Sequence, residues 1–199
     1  MDKYKTVKQI FKSRGNIATT GEILKEGIHS SYIADLIGTE RIARIKRGVY
    51  EWVEDGRKDD LEIIFRLLPD AILCMDNALY YYQYTDRTPG IWHIAVDKRI
   101  NRKKVKLEYP PIKAHFIEPQ CLAIGLAHAE MNGIKVRIYD RERTICDVIR
   151  HSAKMDAETV GKAIQAYVKD GRKNISRLME YARRFRIQRK VHDLMGVWL

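Results

Sequence analysis

Ile42-Ala43-Arg44-Ile45-Lys46-Arg47-Gly48-Val49-Tyr50-Glu51-Trp52-Val53 sets apolar and polar residues in alternation on both sides of a basic, glycine-containing turn. Alternation with period two argues for strands, and Lys46-Arg47-Gly48 is the turn chemistry that joins them, so the stretch reads as a β-hairpin. Upstream the period changes. Val7, Ile10 and Phe11 fall at i, i+3 and i+4, which predicts a first helix, with Gly15 just past its end. Thr19-Thr20-Gly21-Glu22 reads as a capping box, Thr19 as N-cap and Glu22 as its reciprocal partner, opening a short second helix that stops at Gly27. A third helix starts at Ser30-Ser31, turns Ile33, Leu36 and Ile37 inward, and closes at Gly38. Three short helices followed by a two-stranded hairpin is the layout of a winged helix-turn-helix.

That layout carries a chemical expectation. The recognition helix of such a module enters the major groove by its N-terminal end, here His29-Ser30-Ser31-Tyr32. Ser30, Ser31 and Tyr32 are therefore candidate DNA contacts, with Thr19 and Thr20 placed for phosphate and Arg44, Lys46 and Arg47 on the wing, where cations track the backbone or enter the minor groove. The competing reading is a trihelical winged fold that mediates protein contacts only.

Beyond the hairpin, Glu54 to Asp60 is polar without apolar periodicity, and the domain boundary is placed at residue 56. The remainder, 57–199, reads as mixed α+β. It has a helix over Leu61–Leu68 stopped by Pro69, and strands over Ala71–Cys74, Ile91–Val96 and Ala114–Ile117. A tyrosine-rich helix covers Asn77–Tyr84. Its tyrosines at 80, 81, 82 and 84 are suited to base stacking, although two of the four are expected in the core. Asn132-Gly133 is the strongest two-residue hairpin signal in the chain, and it favours strand for the ambiguous Leu122–Met131 before it. From about residue 141 the period is helical, with Asp156 and Asn174 as N-caps and Gly171 as a stop.

The chain of 199 residues is 45% hydrophobic and 32% charged, enough to bury a core and too apolar for disorder. No apolar run approaches the roughly 20 residues of a membrane span, and no apolar segment follows the N-terminus as in a signal peptide, so no membrane partner is expected. Cys74, Cys121 and Cys146 form no CxxC pair and read as reduced residues of a cytoplasmic protein.

Net charge is +11, which points to a polyanionic partner. Residues 1–56 hold 10 Lys+Arg against 8 Asp+Glu, whereas 57–199 hold 27 against 18. Two clusters carry the excess: Arg102, Lys103 and Lys104 within a basic segment, and Arg183, Arg184 and Arg186 among the C-terminal helices. Together they are a candidate second basic surface, for DNA or for RNA, unless they are simply solvated faces.

Enzyme signatures are missing. There is no GxxxxGK[ST], HExxH or GxSxG, and no Glu-x-Lys after Asp70. No catalytic residue, metal ligand set or cofactor is assigned. His93, His115 and His128 all fall on predicted strands and could converge, the one pattern that would favour a metal-dependent enzyme acting on nucleic acid.

Three stretches together resemble a known family: the wing Arg44-Ile45-Lys46-Arg47-Gly48-Val49-Tyr50, the middle Ala78-Leu79-Tyr80-Tyr81-Tyr82-Gln83-Tyr84-Thr85-Asp86 with Pro89 beyond it, and Ile138-Tyr139-Asp140-Arg141-Glu142-Arg143-Thr144-Ile145-Cys146-Asp147. The chain resembles, over essentially its whole length, the AbiEi antitoxins of bacterial type IV abortive-infection toxin–antitoxin systems. The resemblance implies a winged domain that represses its own operon at inverted repeats, its surface mapping to Ser30, Ser31, Tyr32, Arg44, Lys46 and Arg47. It also implies a C-terminal domain that counteracts a neighbouring nucleotidyltransferase-like toxin, AbiEii, with or without a direct complex. The role of Glu142-Arg143-Thr144 stays open between a helix start, with Arg143 and Asp147 paired at i and i+4, and antitoxicity. A winged-helix regulator whose second domain senses a ligand is the other reading.

Overall fold

The computed structural model describes residues 2–196, and the chain divides into two compact units, each built on its own sheet. The first takes residues 1–68 and, returning later, 102–111; the second takes 69–101 and 112–199.

The first unit begins with α1 (Lys3–Ser13), β1 (Ile17–Thr19), α2 (Thr20–Lys25) and α3 (Ser30–Gly38). The wing strands β2 (Ile42–Lys46) and β3 (Val49–Trp52) and then α4 (Asp60–Leu67) follow. The sheet order is β1-β3-β2, all antiparallel. Strand β1 is an addition to the predicted layout: it pairs with β3 through Ile17↔Glu51, Ala18↔Tyr50 and Thr19↔Val49, which makes the second wing strand central rather than an edge. A central strand buries both faces, and β3 does so along its whole length. Tyr50 and Trp52 join Val7, Phe11, Ile23, Ile33, Leu36 and Ile42 under the helices. Val49 meets Ile17, Ile45 and Ile63 of α4 on the opposite face. Trp52 is fully buried, its ring 5.6 Å from Phe11 and 5.7 Å from Tyr4. Truncating such a ring costs about 3–5 kcal/mol.

Because α4 closes the second face of the sheet, the first unit runs past the boundary expected at residue 56. The segment 102–111 extends it further. Leu107 and Tyr109 pack on the Ile45–Ile63 side, Ile45 O accepts the Glu108 and Tyr109 N–H groups at 2.7 and 3.2 Å, and the Tyr109 hydroxyl donates to Asp60 at 2.6 Å.

The second unit holds β4 (Ile72–Leu73), α5 (Met75–Tyr81), β5 (Trp92–Asp97), β6 (Ile112–Ile117), α6 (Pro119–Leu122), β7 (Leu126–Met131) and β8 (Ile134–Tyr139). Then come α7 (Arg141–His151), a 3-10 turn at Ser152–Lys154, α8 (Ala157–Lys169), α9 (Ile175–Arg184) and α10 (Gln188–Met195). Its mixed sheet runs β6-β5-β4-β8-β7. The expected hairpin forms, Met131 facing Ile134 across Asn132 and Gly133, both at positive φ. The strand before it starts only at Leu126, because α6 and a turn through Gly125 occupy the preceding residues. The tyrosine helix likewise begins earlier than expected, at Met75, and ends at Tyr81. Tyr82 and Tyr84 are buried beyond it, and Tyr80 is exposed.

Helix α7 organises the helical layer. Asp140 caps it, accepting the Arg143 N–H at 2.8 Å. Glu142 is buried and accepts the Asn174 N–H (2.8 Å) and the Tyr167 hydroxyl (3.3 Å), which ties α7 to α8 and to the start of α9. Arg143 is fully buried. Its Nε donates to Asp147 at 2.9 Å and its Nη1 to the carbonyls of Cys121 (2.8 Å) and Ile124 (2.9 Å). Tyr139 and Phe185 stack on the guanidinium at 4.1 and 4.3 Å. Gly125 sits against the Arg143 side chain at φ +76, where a Cβ has no room. The Glu142-Arg143-Thr144 block is thus built into the interior. The three cysteines are free, Cys74 and Cys146 buried.

Candidate nucleic-acid interface

The start of α3 is shaped by an uncommon cap. His29 occupies the N-cap position, and its Nδ1 accepts the Ser31 N–H at 3.3 Å with Ser31 Oγ 3.0 Å away. Serving as acceptor at Nδ1 leaves Nε2–H as the ring's donor. His29, Ser30 and Ser31 are all exposed, so a ring N–H, hydroxyls and helix-start N–H groups share one end of the helix. Histidine is outside the usual N-cap set, and so the sequence did not mark His29 as a site residue. Tyr32 is half-buried, its ring packed against the core beneath α3.

The two threonines differ. Thr19 forms the expected capping box: its hydroxyl donates to Glu22 Oε2 at 2.8 Å and accepts the Glu22 N–H at 3.2 Å. With its hydroxyl committed and a carboxylate beside it, Thr19 is poorly disposed to a phosphate. Thr20 instead faces the wing, its N–H donating to Gly48 O at 2.9 Å.

On the wing, Arg44 and Arg47 are exposed and have no ion-pair partner among the described residues. Four of the module's acids are engaged away from the wing arginines, while Glu26, Asp35 and Glu40 stay exposed. Glu54 and Asp55 are bridged by Lys8, Lys12 and Arg41, Glu22 pairs with Arg14 at 3.3 Å, and Glu51 is buried, its Oε1 accepting the Lys58 N–H at 2.6 Å. Burial drives the Glu51 carboxyl pKa upward, against the Lys58 N–H bond that lowers it. The module's small net charge therefore conceals a cationic wing.

Arg102, Lys103 and Lys104 lie in the first unit, beside that wing, and not in the domain where the sequence placed them. Lys46 Nζ donates to the Lys104 carbonyl at 3.4 Å. Partial burial and the Lys104 charge both push the Lys46 pKa down, the mark of two cations held close together. Residues 1–68 carry 13 Lys+Arg and 11 Asp+Glu, and 102–111 add 4 and 1, so the returning segment more than doubles the unit's positive excess. The candidate second basic surface thus draws its residues from both units. Arg183, Arg184 and Arg186 belong to the other unit, exposed on and just after α9, whose opposite face buries Leu178 and Ala182. Arg184 is bridged to Glu180 at 3.1 Å.

Among the histidines, His93 on β5 and His115 on β6 come together, ring centroids 5.2 Å apart, while His128 lies on β7 at the other edge of the sheet. No group of three or more His, Cys, Asp or Glu suited to a metal occurs among the described residues. No helix among them is long and apolar enough to cross a membrane.

Residues 5–51 match a family model described as transcriptional regulator, AbiEi antitoxin. No curated protein matches the sequence. Among solved structures, the crystal structure of the RV2827C protein from Mycobacterium tuberculosis is similar, at 13% identity and a TM-score of 0.52. The likeness covers 96% of this chain and 79% of that one, and at such identity it is a likeness of fold.

Proposed function

We propose that this protein, whose residues 5–51 match a family model described as transcriptional regulator, AbiEi antitoxin, represses its own operon by binding inverted-repeat promoter DNA, and that its second unit counteracts a nucleotidyltransferase-like toxin encoded beside it. The observation that carries the DNA reading is the exposed pair Arg44 and Arg47 on the wing, without ion-pair partners among the described residues, while Glu22, Glu54 and Asp55 are bridged by other cations and Glu51 is buried. Such cations neutralise phosphates and release counterions, which gives salt-dependent affinity. The exposed His29-Ser30-Ser31 end of α3 is the part of the module suited to base edges and backbone phosphates.

The Arg102-Lys103-Lys104 segment adds charge to the same unit and is read as a continuation of the wing contact along the backbone. The exposed arginines around α9 are left for the second task, toward the toxin directly or toward an RNA on which the toxin acts. A gel-shift titration of the full chain against its upstream promoter, with a shuffled duplex as control, tests the first half. Equal affinity for the two duplexes would overturn operator recognition. For the second half, a downstream nucleotidyltransferase-like reading frame and rescue from its toxicity on co-expression are the expected results.

A further inference from the structure

The second unit contains a cavity of about 640 Å³ that the DNA and toxin readings do not use. Its geometry follows from the sheet register. In β5 and β6, which are parallel, His93 pairs with Lys113 and Ala95 with His115. Side chains two apart share a face, so His93, Lys113 and His115 project on the same side of the sheet. That side is the cavity, with His151, Lys154 and Asp76 also lining it.

Two nitrogens here lack partners. His93 is only 9% exposed, and its Nδ1 is buried without a hydrogen bond, as is Nε2 of His115. Leaving a buried polar atom unpaired costs about 1–3 kcal/mol, so each such atom calls for an explanation. Asp76 Oδ2 stands 3.8 Å from His93 Nε2, which favours the hydrogen on Nε2 and leaves Nδ1 as an acceptor. Both rings are held neutral. Burial depresses His93, and burial with the neighbouring His93, Lys113 and His151 brings His115 down to about 4. A neutral imidazole with a free acceptor nitrogen suits a hydroxyl or an N–H.

The rim has the opposite character. Arg87 is neutralised by Asp156 and Glu158, both at 3.2 Å. Lys113 and Lys154 have no ion-pair partner among the described residues, and they outnumber Asp76. The volume lies in the range of small-molecule sites, roughly 300–1,000 Å³.

We propose that this cavity binds a phosphate monoester of sugar-phosphate to mononucleotide size, with its phosphate against Lys113 and Lys154 and its hydroxyl- or N–H-bearing part against His93 and His115. The combination selects for both halves at once. Inorganic phosphate leaves the histidines unsatisfied, and a phosphate-free nucleoside leaves the lysines without a counter-charge.

The test is calorimetric titration of the full chain at pH 7 with adenosine 5′-monophosphate, ribose 5-phosphate, adenosine, inorganic phosphate and Zn²⁺ in separate runs. Binding by either ester is expected, at least about tenfold tighter than by adenosine or phosphate, with changes in the ring ¹⁵N shifts of His93 and His115. The Lys113→Ala/Lys154→Ala double variant, both positions exposed, is expected to weaken the ester about tenfold or more with an unchanged melting temperature. Silence from both esters at millimolar concentration would overturn the proposal. So would equal binding of adenosine, an unaltered affinity in the double variant, or Zn²⁺ binding with the esters inert.

Discussion

Lys46 Nζ donates to the main-chain carbonyl of Lys104, 3.4 Å away, across 58 positions of sequence. Two lysines that repel one another are kept side by side because backbone bonds from Glu108 and Tyr109 to Ile45 hold the returning segment against the wing. A fold that maintains such a pair has a standing attraction for an anion, and under the proposed function that anion is the phosphate backbone of the promoter.

Arg47→Ala is expected to weaken promoter binding and leave the fold intact, because the side chain is exposed and unpaired. If Arg47 neutralises one phosphate, the slope of log affinity against log salt falls in magnitude by about 1. Gel shifts at four salt concentrations, with thermal melts in parallel, read both quantities. An unchanged slope would remove Arg47 from the interface.

The Lys103→Ala/Lys104→Ala double variant is expected to behave like a wing variant, lowering affinity for promoter and shuffled duplex alike and reducing the salt slope by about 2. The matched control is Arg183→Gln/Arg184→Gln/Arg186→Gln, which lies in the other unit. The same loss of slope in the control would dissolve the distinction between the two basic clusters.

That control triple variant is itself expected to impair rescue from the toxin more than repression. Co-expression growth assays beside a promoter reporter decide this. Equal losses in both would refute the division of labour between the units.

Arg143→Met removes one partner of a buried ion pair and strands Asp147, which costs about 3–5 kcal/mol. Adding Asp147→Leu is expected to restore part of that loss, since no uncompensated charge then remains. Gly125→Ala is destabilising for a separate reason, its positive φ and its closeness to the Arg143 side chain. Urea denaturation of the four proteins distinguishes these contributions. A double variant worse than Arg143→Met would show that the ion pair is not the dominant element.

His115 yields a pH dependence. In the unfolded chain a histidine takes up its proton near pH 6.5, whereas the folded ring waits until about 4. Between those values the unfolded state binds more protons, so stability is full above about pH 6.5 and declines as pH falls toward 4. His115→Asn is expected to flatten that decline. Melting temperatures from pH 7.5 to 4.5 measure it, and identical slopes would place the decline in other groups.

Local chemistry made much of this architecture legible. The Thr19–Glu22 box, the Lys46-Arg47-Gly48 turn, Asn132-Gly133 and the caps Asp156 and Asn174 each act within a few residues, and each reads directly as structure. What escaped depends on distant partners. Ile17-Ala18-Thr19 is too short to display a period and becomes a strand only because β3 lies alongside. The 102–111 segment has Val105 and Leu107 as its only large aliphatic side chains, and its attachment to Ile45 follows from tertiary packing alone. Arg143 shows its spacing to Asp147 in sequence, but its burial depends on Gly125 and on carbonyls some twenty residues away. At the wing, composition counts acids without showing which of them are bridged.

The bond between Ile45 and the Glu108–Tyr109 backbone also has a consequence in time. Translation proceeds at roughly 5–20 residues per second, so the outer edge of β2 is made several seconds before the residues that cover it. During that interval the nascent wing is an open sheet edge. A stall or truncation before residue 109 would release a regulator head with an uncovered strand and with part of its cationic segment unattached.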